Sequence, residues 1–126
     1  ELKCLYWEGN GTSVISGLES NVELVSLYLQ ENIIKKIEGL STLSRLHTLQ
    51  LSDNCIAKIE GLSLCVNLDS LYIKNNRIGT NGLDDVLGLL ECPNLACLDI
   101  QGNKIDFAEI LDDVLVKMPK LKVLYM

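Results

Sequence analysis

Hydrophobic positions along this chain change their period every dozen residues. In the segment beginning at Leu24 the apolar beats fall first at Leu24, Leu27 and Leu29, then at Ile34, Ile37, Leu40 and Leu43. The first part has the alternation of a short strand, with Leu27 and Leu29 pointing one way and Ser26, Tyr28 and Gln30 the other. After Asn32 the spacing becomes three, which suits tight helical turns rather than a strand. The same change of step recurs along the whole chain. Units start at Leu2, Leu24, Leu46, Leu68, Leu95 and Leu121, so successive starts lie 22, 22, 22, 27 and 26 residues apart. Each complete unit reads LxxLxLxxN, with Trp7, Ile73 or Ile100 in the third apolar slot.

A repeat of this length implies a solenoid, because one coil cannot bury its own leucines and must stack on neighbours. The expected fold is therefore α/β: a right-handed superhelix with a concave parallel sheet of about six strands. Its convex side should consist of 3-10 or short helical turns, and the whole chain, 1–126, should be a single repeat domain. Asn10, Asn32, Asn54, Asn76 and Asn103 close the strand half of each unit. An amide can donate and accept together, so these side chains are expected to form a ladder satisfying the backbone of the turns that follow. Gly17, Gly39 and Gly61 share one repeat position, where a glycine conformation is expected. Trp7 stands in a leucine slot and should face inward.

The last two complete units carry longer returns, both containing LDDVL and then a proline before the next strand. They predict two true helices, over about 83–91 and 107–117, ended by Pro93 and Pro119. Asp106 with Glu109 resembles a capping box, and Asp84–Asp85 suits a helix N-terminal turn. Neither terminus carries a capping unit over its apolar face, so both are expected to be truncated.

Composition narrows the function. Seventeen acids against eleven bases give a net charge of −6. That balance disfavours a polyanion or an anionic membrane surface as partner. There is no run of eighteen apolar residues to span a bilayer. Five scattered cysteines without a CxxC pair argue against both a zinc site and a disulfide framework, and predict a reducing compartment. Cys4 and Cys97 share a column but stand four strands apart, about 19 Å, too far for a disulfide. Cys65 occupies a leucine slot as core filler. No cofactor is expected.

Catalytic chemistry finds little support. The single histidine, His47, is expected on the strand face with Asp69 one strand away; a solvated pair is the reading, since no nucleophile is patterned beside it. Adjacent aspartates on a helix do not face one ion, and "EGNGT" at 8–12 lacks the lysine and helix of a phosphate loop.

The outward strand positions are more informative. One column reads Tyr6, Tyr28, Gln50, Tyr72, Asp99 and Tyr125, and it contains all four tyrosines of the chain. Glu8, Gln30, Ser52, Lys74 and Gln101 flank it on one side. Tyrosine offers rigid apolar area with a polar tip, which suits a protein interface. The expected partner-binding face therefore comprises the column residues with Glu8, Gln30, Lys74 and His47.

The pattern is identified as that of leucine-rich repeat proteins. "KIEGL" at 36–40 and 58–62 is similar to the class typified by the repeat-built regulator of protein phosphatase 1. Four segments resemble the dynein axonemal assembly factors of cilia: "LKCLYWEGNG" (2–11), "LYLQENIIKKIEGL" (27–40), "LACLDIQGNKI" (95–105) with "EIL" (109–111), and "MPKLKVLYM" (118–126). Thr12 departs from that family at the position two beyond the asparagine. The resemblance implies a non-enzymatic factor for cytoplasmic preassembly of dynein arms in ciliated or flagellated cells. Its partners would be dynein subunits, chaperones or co-chaperones. The phosphatase regulators, the axonemal dynein light chains, which share an "LxVLYM" segment, and the spliceosomal leucine-rich A′ proteins show related patterns.

Overall fold

A computed structural model describes residues 1–126, apart from the side chain of Leu111. Six three-residue strands form one parallel sheet in chain order: β1 (Cys4–Tyr6), β2 (Ser26–Tyr28), β3 (Thr48–Gln50), β4 (Ser70–Tyr72), β5 (Cys97–Asp99) and β6 (Val123–Tyr125). Every strand pairs with the next in the register of the sequence repeat, Leu5 against Leu27, Leu27 against Leu49, and onward to Leu98 against Leu124. The architecture is an α/β solenoid.

Burial follows from stacking. Leu27, Leu49, Leu71 and Leu98 have a neighbouring coil on both sides and are fully enclosed, whereas the equivalent Leu5 and Leu124 have one neighbour and are half-buried. Enclosing a leucine side chain contributes about 2–3 kcal/mol, so stability accumulates coil by coil. Trp7 is the exception to its slot. It is 49% exposed, because β1 has no coil on its outer side. Its indole nitrogen donates to Thr12 Oγ1 at 3.0 Å. The Thr12 that replaces an apolar residue thus gives the exposed indole a partner.

The return segments of the tight units are single turns rather than helices. Leu43 N donates to Leu40 O, and Leu46 N to Leu43 O; Cys65 and Leu68 repeat this pair of bonds on the next coil. Gly39 has φ 73° and packs against the preceding coil, where a Cβ would lie 2.6 Å from the Ile15 carbonyl oxygen. Gly61 has the same conformation against the Ile37 carbonyl.

The two longer returns depart from the sequence expectation of two α-helices. Over 83–91 the chain forms two 3-10 turns, Leu83–Asp85 and Leu87–Glu91. Its buried apolar positions, with Cys92 just beyond, are Val86, Leu89 and Cys92, three apart, and Leu89 N donates to Val86 O and Cys92 N to Leu89 O. A spacing of three matches the three residues per turn of the 3-10 form, whereas at 3.6 per turn the same positions drift across the helix face. Over 107–117, α1 (Phe107–Asp113) is a true α-helix, followed by a 3-10 turn at Leu115–Lys117. Here the buried pair Ile110 and Val114 is four apart, and Val114 N donates to Ile110 O. Asp106 Oδ1 caps it, accepting from Ala108 N and Glu109 N.

Asp85 also differs from expectation. It does lie in the first turn of a helix, the 3-10 turn Leu83–Asp85, but it is buried, and its Oδ2 accepts from Gly79 N and Asn81 N, both at 3.0 Å. The carboxylate folds back to pin the loop that enters the longer return.

Candidate protein-interaction face

Two rows of side chains define the strand half of the molecule. The inner row is the asparagine ladder. Asn54 Oδ1 accepts from Ile34 N at 3.0 Å, and its Nδ2 lies 3.0 Å from both the Leu29 and the Leu51 carbonyls. Asn76 and Asn103 make the same bonds one and two coils further on. Asn32 Oδ1 accepts from Asn10 N and Thr12 N, and its Nδ2 reaches the Trp7 carbonyl. Asn10 is exposed and donates only to Glu8 O, because every ladder amide reaches back one coil and β1 is the first.

The outer row is the tyrosine column. Register sets Tyr6, Tyr28, Gln50, Tyr72, Asp99 and Tyr125 side by side. Tyr6 is 62% and Tyr125 49% exposed, and Tyr28 and Tyr72 are half-buried, so all four phenols reach solvent. Tyr6 and Tyr28 stack in parallel, with ring centroids 4.6 Å apart. The Cys4 thiol lies 3.9 Å from the Tyr6 hydroxyl and the Cys97 thiol 3.8 Å from that of Tyr72. These contacts are the main cause of a raised phenol pKa at both tyrosines, reinforced at Tyr72 by partial burial. Both therefore remain neutral hydrogen-bonding groups at ordinary pH.

The polar members of the column are turned back onto the backbone. Gln50 Oε1 accepts from Ser52 N at 2.9 Å, and Asp99 Oδ1 accepts from Gln101 N at 3.1 Å. Of the flanking residues, Glu8 is exposed, and Gln30 and Lys74 are half-buried. The Gln30 Oε1 atom is covered and has no hydrogen-bond partner. Such a buried, unpaired acceptor costs on the order of 1–3 kcal/mol.

Asp69 N donates to His47 O at 3.0 Å, but the side chains of the two residues take other partners. His47 Nδ1 lies 2.8 Å from the Arg45 carbonyl, while Asp69 Oδ1 accepts from Ser70 Oγ. Among the described residues, no three His, Cys, Asp or Glu side chains gather as metal ligands.

Sequence reasoning missed the rim beside this face. Glu31, Asp53 and Asn75 have φ of 58°, 58° and 54°, in the left-handed region, and the equivalent positions of the first and fifth coils are Gly9 and Gly102. Asn75 Nδ2 donates to Asp53 Oδ1 at 2.9 Å. The glycines at 9 and 102 were the available signal, with Asp53 and Asn75 beside them, since aspartate and asparagine tolerate this conformation best after glycine.

A parallel sheet left open on one side and carried on stacked coils is the construction of an interaction module. Residues 19–126 match the family model described as "Leucine-rich repeat", and the chain belongs to that family. Solved structures with this shape include an internalin, InlF, from Listeria monocytogenes, with TM-score 0.83 and 25% identity over 99% of this chain and 35% of that one. Internalin C2 from the same bacterium gives a TM-score of 0.81 at 24% identity, over 98% of this chain and 50% of that one. The SNF/U2A′ complex of Drosophila melanogaster gives 0.83 at 27%, over 96% of this chain and 71% of that one. The chain thus spans a third to a half of the internalins. No curated protein matches it in sequence. Among the described residues, no helix is long and apolar enough to cross a membrane.

Proposed function

We propose that this chain is a non-enzymatic scaffold that holds a protein partner on its open strand face, in the service of dynein-arm preassembly. The observation that carries the scaffold reading is the gathering of all four tyrosines in one solvent-reaching column of a six-stranded sheet. Rigid, amphipathic rings of this kind concentrate binding energy at interfaces. The dynein-arm reading rests on the likeness of residues 2–11, 27–40, 95–105 and 118–126 to ciliary assembly factors, together with the lengthened fourth and fifth units. It places the protein in the cytoplasm of ciliated or flagellated cells, with axonemal dynein subunits and chaperones as partners.

The test is affinity capture from ciliated cells followed by mass spectrometry. Enrichment of dynein chains with chaperones is the expected result. Enrichment of protein phosphatase 1 without dynein chains would overturn it. A second reading, a splicing-particle subunit, is favoured by the likeness to the SNF/U2A′ complex. Capture of spliceosomal proteins in place of dynein chains would select that reading.

A further inference from the structure

On the open face, a carboxylate stands between two phenols. Tyr72, Asp99 and Tyr125 are direct register partners on β4, β5 and β6. Neighbouring strands lie about 4.8 Å apart, so the two tyrosines are rooted roughly 9–10 Å from each other with Asp99 between them. The other end of the column behaves differently. Tyr6 and Tyr28 occupy adjacent strands and close on one another, with centroids at 4.6 Å. Asp99 separates Tyr72 from Tyr125 in the column, and its short side chain forms the floor of the slot between them.

The floor of that slot is oriented and uncompensated. Backbone N and Nε2 of Gln101 both donate to Asp99 Oδ1, at 3.1 and 3.0 Å. Those bonds hold the carboxylate in place and leave Oδ2 with no hydrogen-bond partner among the described residues. The ion pairs among them are Arg45–Glu23 and Lys58–Asp84; Lys74, two residues beyond Tyr72, makes none with Asp99. A cation within about 6 Å of a ring centroid is attracted by the ring's negative face, and two faces with a carboxylate beneath add to that pull. Gln50, between Tyr28 and Tyr72, is the internal comparison: the same phenol flanks, but a neutral floor turned back to Ser52 N.

We propose that the Tyr72–Asp99–Tyr125 slot receives one positively charged side-chain head, a lysine ammonium or an arginine guanidinium, from a basic segment of the protein partner. The proposal rests on the open-face reading above and adds what the partner must carry. The chain's net charge of −6 gives such a segment a favourable approach.

The probes are three blocked pentapeptides, acetyl-Gly-Ser-X-Ser-Gly-amide, with X as arginine, lysine or citrulline. Each is titrated into protein labelled with carbon-13 at the tyrosine rings and followed by NMR. Arginine or lysine is expected to move the Tyr72 and Tyr125 ring signals, and citrulline to bind at least about fivefold more weakly. Asp99→Asn keeps an oxygen for Gln101 and removes the charge, so it is expected to abolish that preference. Equal binding of citrulline, an unchanged preference in Asp99→Asn, or movement confined to Tyr6 and Tyr28 would overturn the slot. Failure of the two readings is separable. Lost partner capture in Tyr28→Ala/Tyr72→Ala, with wild-type capture in Asp99→Asn and no peptide response, would sink the slot alone. Peptide response with capture indifferent to the tyrosines would sink the open-face reading and leave the slot standing.

Discussion

The side-chain oxygen of Asn54 accepts a hydrogen bond from the backbone nitrogen of Ile34, 20 residues earlier and one coil away, at 3.0 Å. The same amide donates to carbonyls of its own coil and of the one before it. One side chain therefore ties two coils together through groups that are otherwise sealed from water. Asn54→Ala should cost about 1–3 kcal/mol, since it strands buried polar atoms. Asn10→Ala, at the exposed start of the ladder, should cost far less. Urea melts of the two variants check this; equal losses would remove the distinction between a shared and an unshared amide.

Gly39 should not tolerate a side chain. Its φ of 73° is unfavourable for alanine, and a Cβ would meet the Ile15 carbonyl oxygen at 2.6 Å. Gly17 has a similar φ of 78° but nothing within 4 Å of the same point. Gly39→Ala therefore carries both backbone strain and a clash, and Gly17→Ala only the strain, of order 1 kcal/mol. Thermal melts should place Gly39→Ala below Gly17→Ala.

Cysteine chemistry should divide by burial. Cys4 is exposed, while Cys65 and Cys92 are buried. Burial pushes both buried thiols up, Cys92 to about 12 with smaller contributions from Cys65 and Glu91. A thiol reagent at pH 8 should modify Cys4 rapidly in the native protein and Cys92 only on unfolding. The linkage has a definite sign. The folded state resists losing the Cys92 proton, so the stability it contributes is complete below the unfolded thiol's pKa of 9.0 and is lost as pH rises toward about 12. Cys92→Ala should flatten the fall in stability across that window.

The open face should be separable from the core. Tyr28 and Tyr72 reach solvent, and the buried leucines lie on the opposite side of their strands. Tyr28→Ala with Tyr72→Ala should weaken partner capture while shifting the melting temperature by no more than a few degrees. A large loss of stability with capture intact would show that the rings act as structure.

The repeat, the strand register and the position of the core were legible in the chain because a solenoid is built from local, periodic rules. Leu27, Leu49 and Leu71 occupy one sequence position and one place in the stack. The longer returns were less legible. "LDDVL" occurs in both, yet in one it opens a pair of 3-10 turns and in the other it ends an α-helix and passes into a 3-10 turn. The choice turned on whether buried residues recur at three, as in Val86–Leu89–Cys92, or at four, as in Ile110–Val114.

What the chain determined alone is the coil: which side chains turn inward, where each amide rung falls, and which residues share an outward column. These are set by periods of two and three along the backbone. The tertiary structure decided what stacking does to equivalent positions. Trp7 and Leu29 share one slot yet differ in exposure, because the coil of Trp7 has a single neighbour. Asp85 is sealed against Gly79 and Asn81 by a loop that the sequence pattern leaves open. Tyr6 and Tyr28 touch, while Asp99 separates Tyr72 from Tyr125. Such differences depend on what lies on the adjacent coil, about 5 Å away in space but some 22 to 27 residues away along the chain.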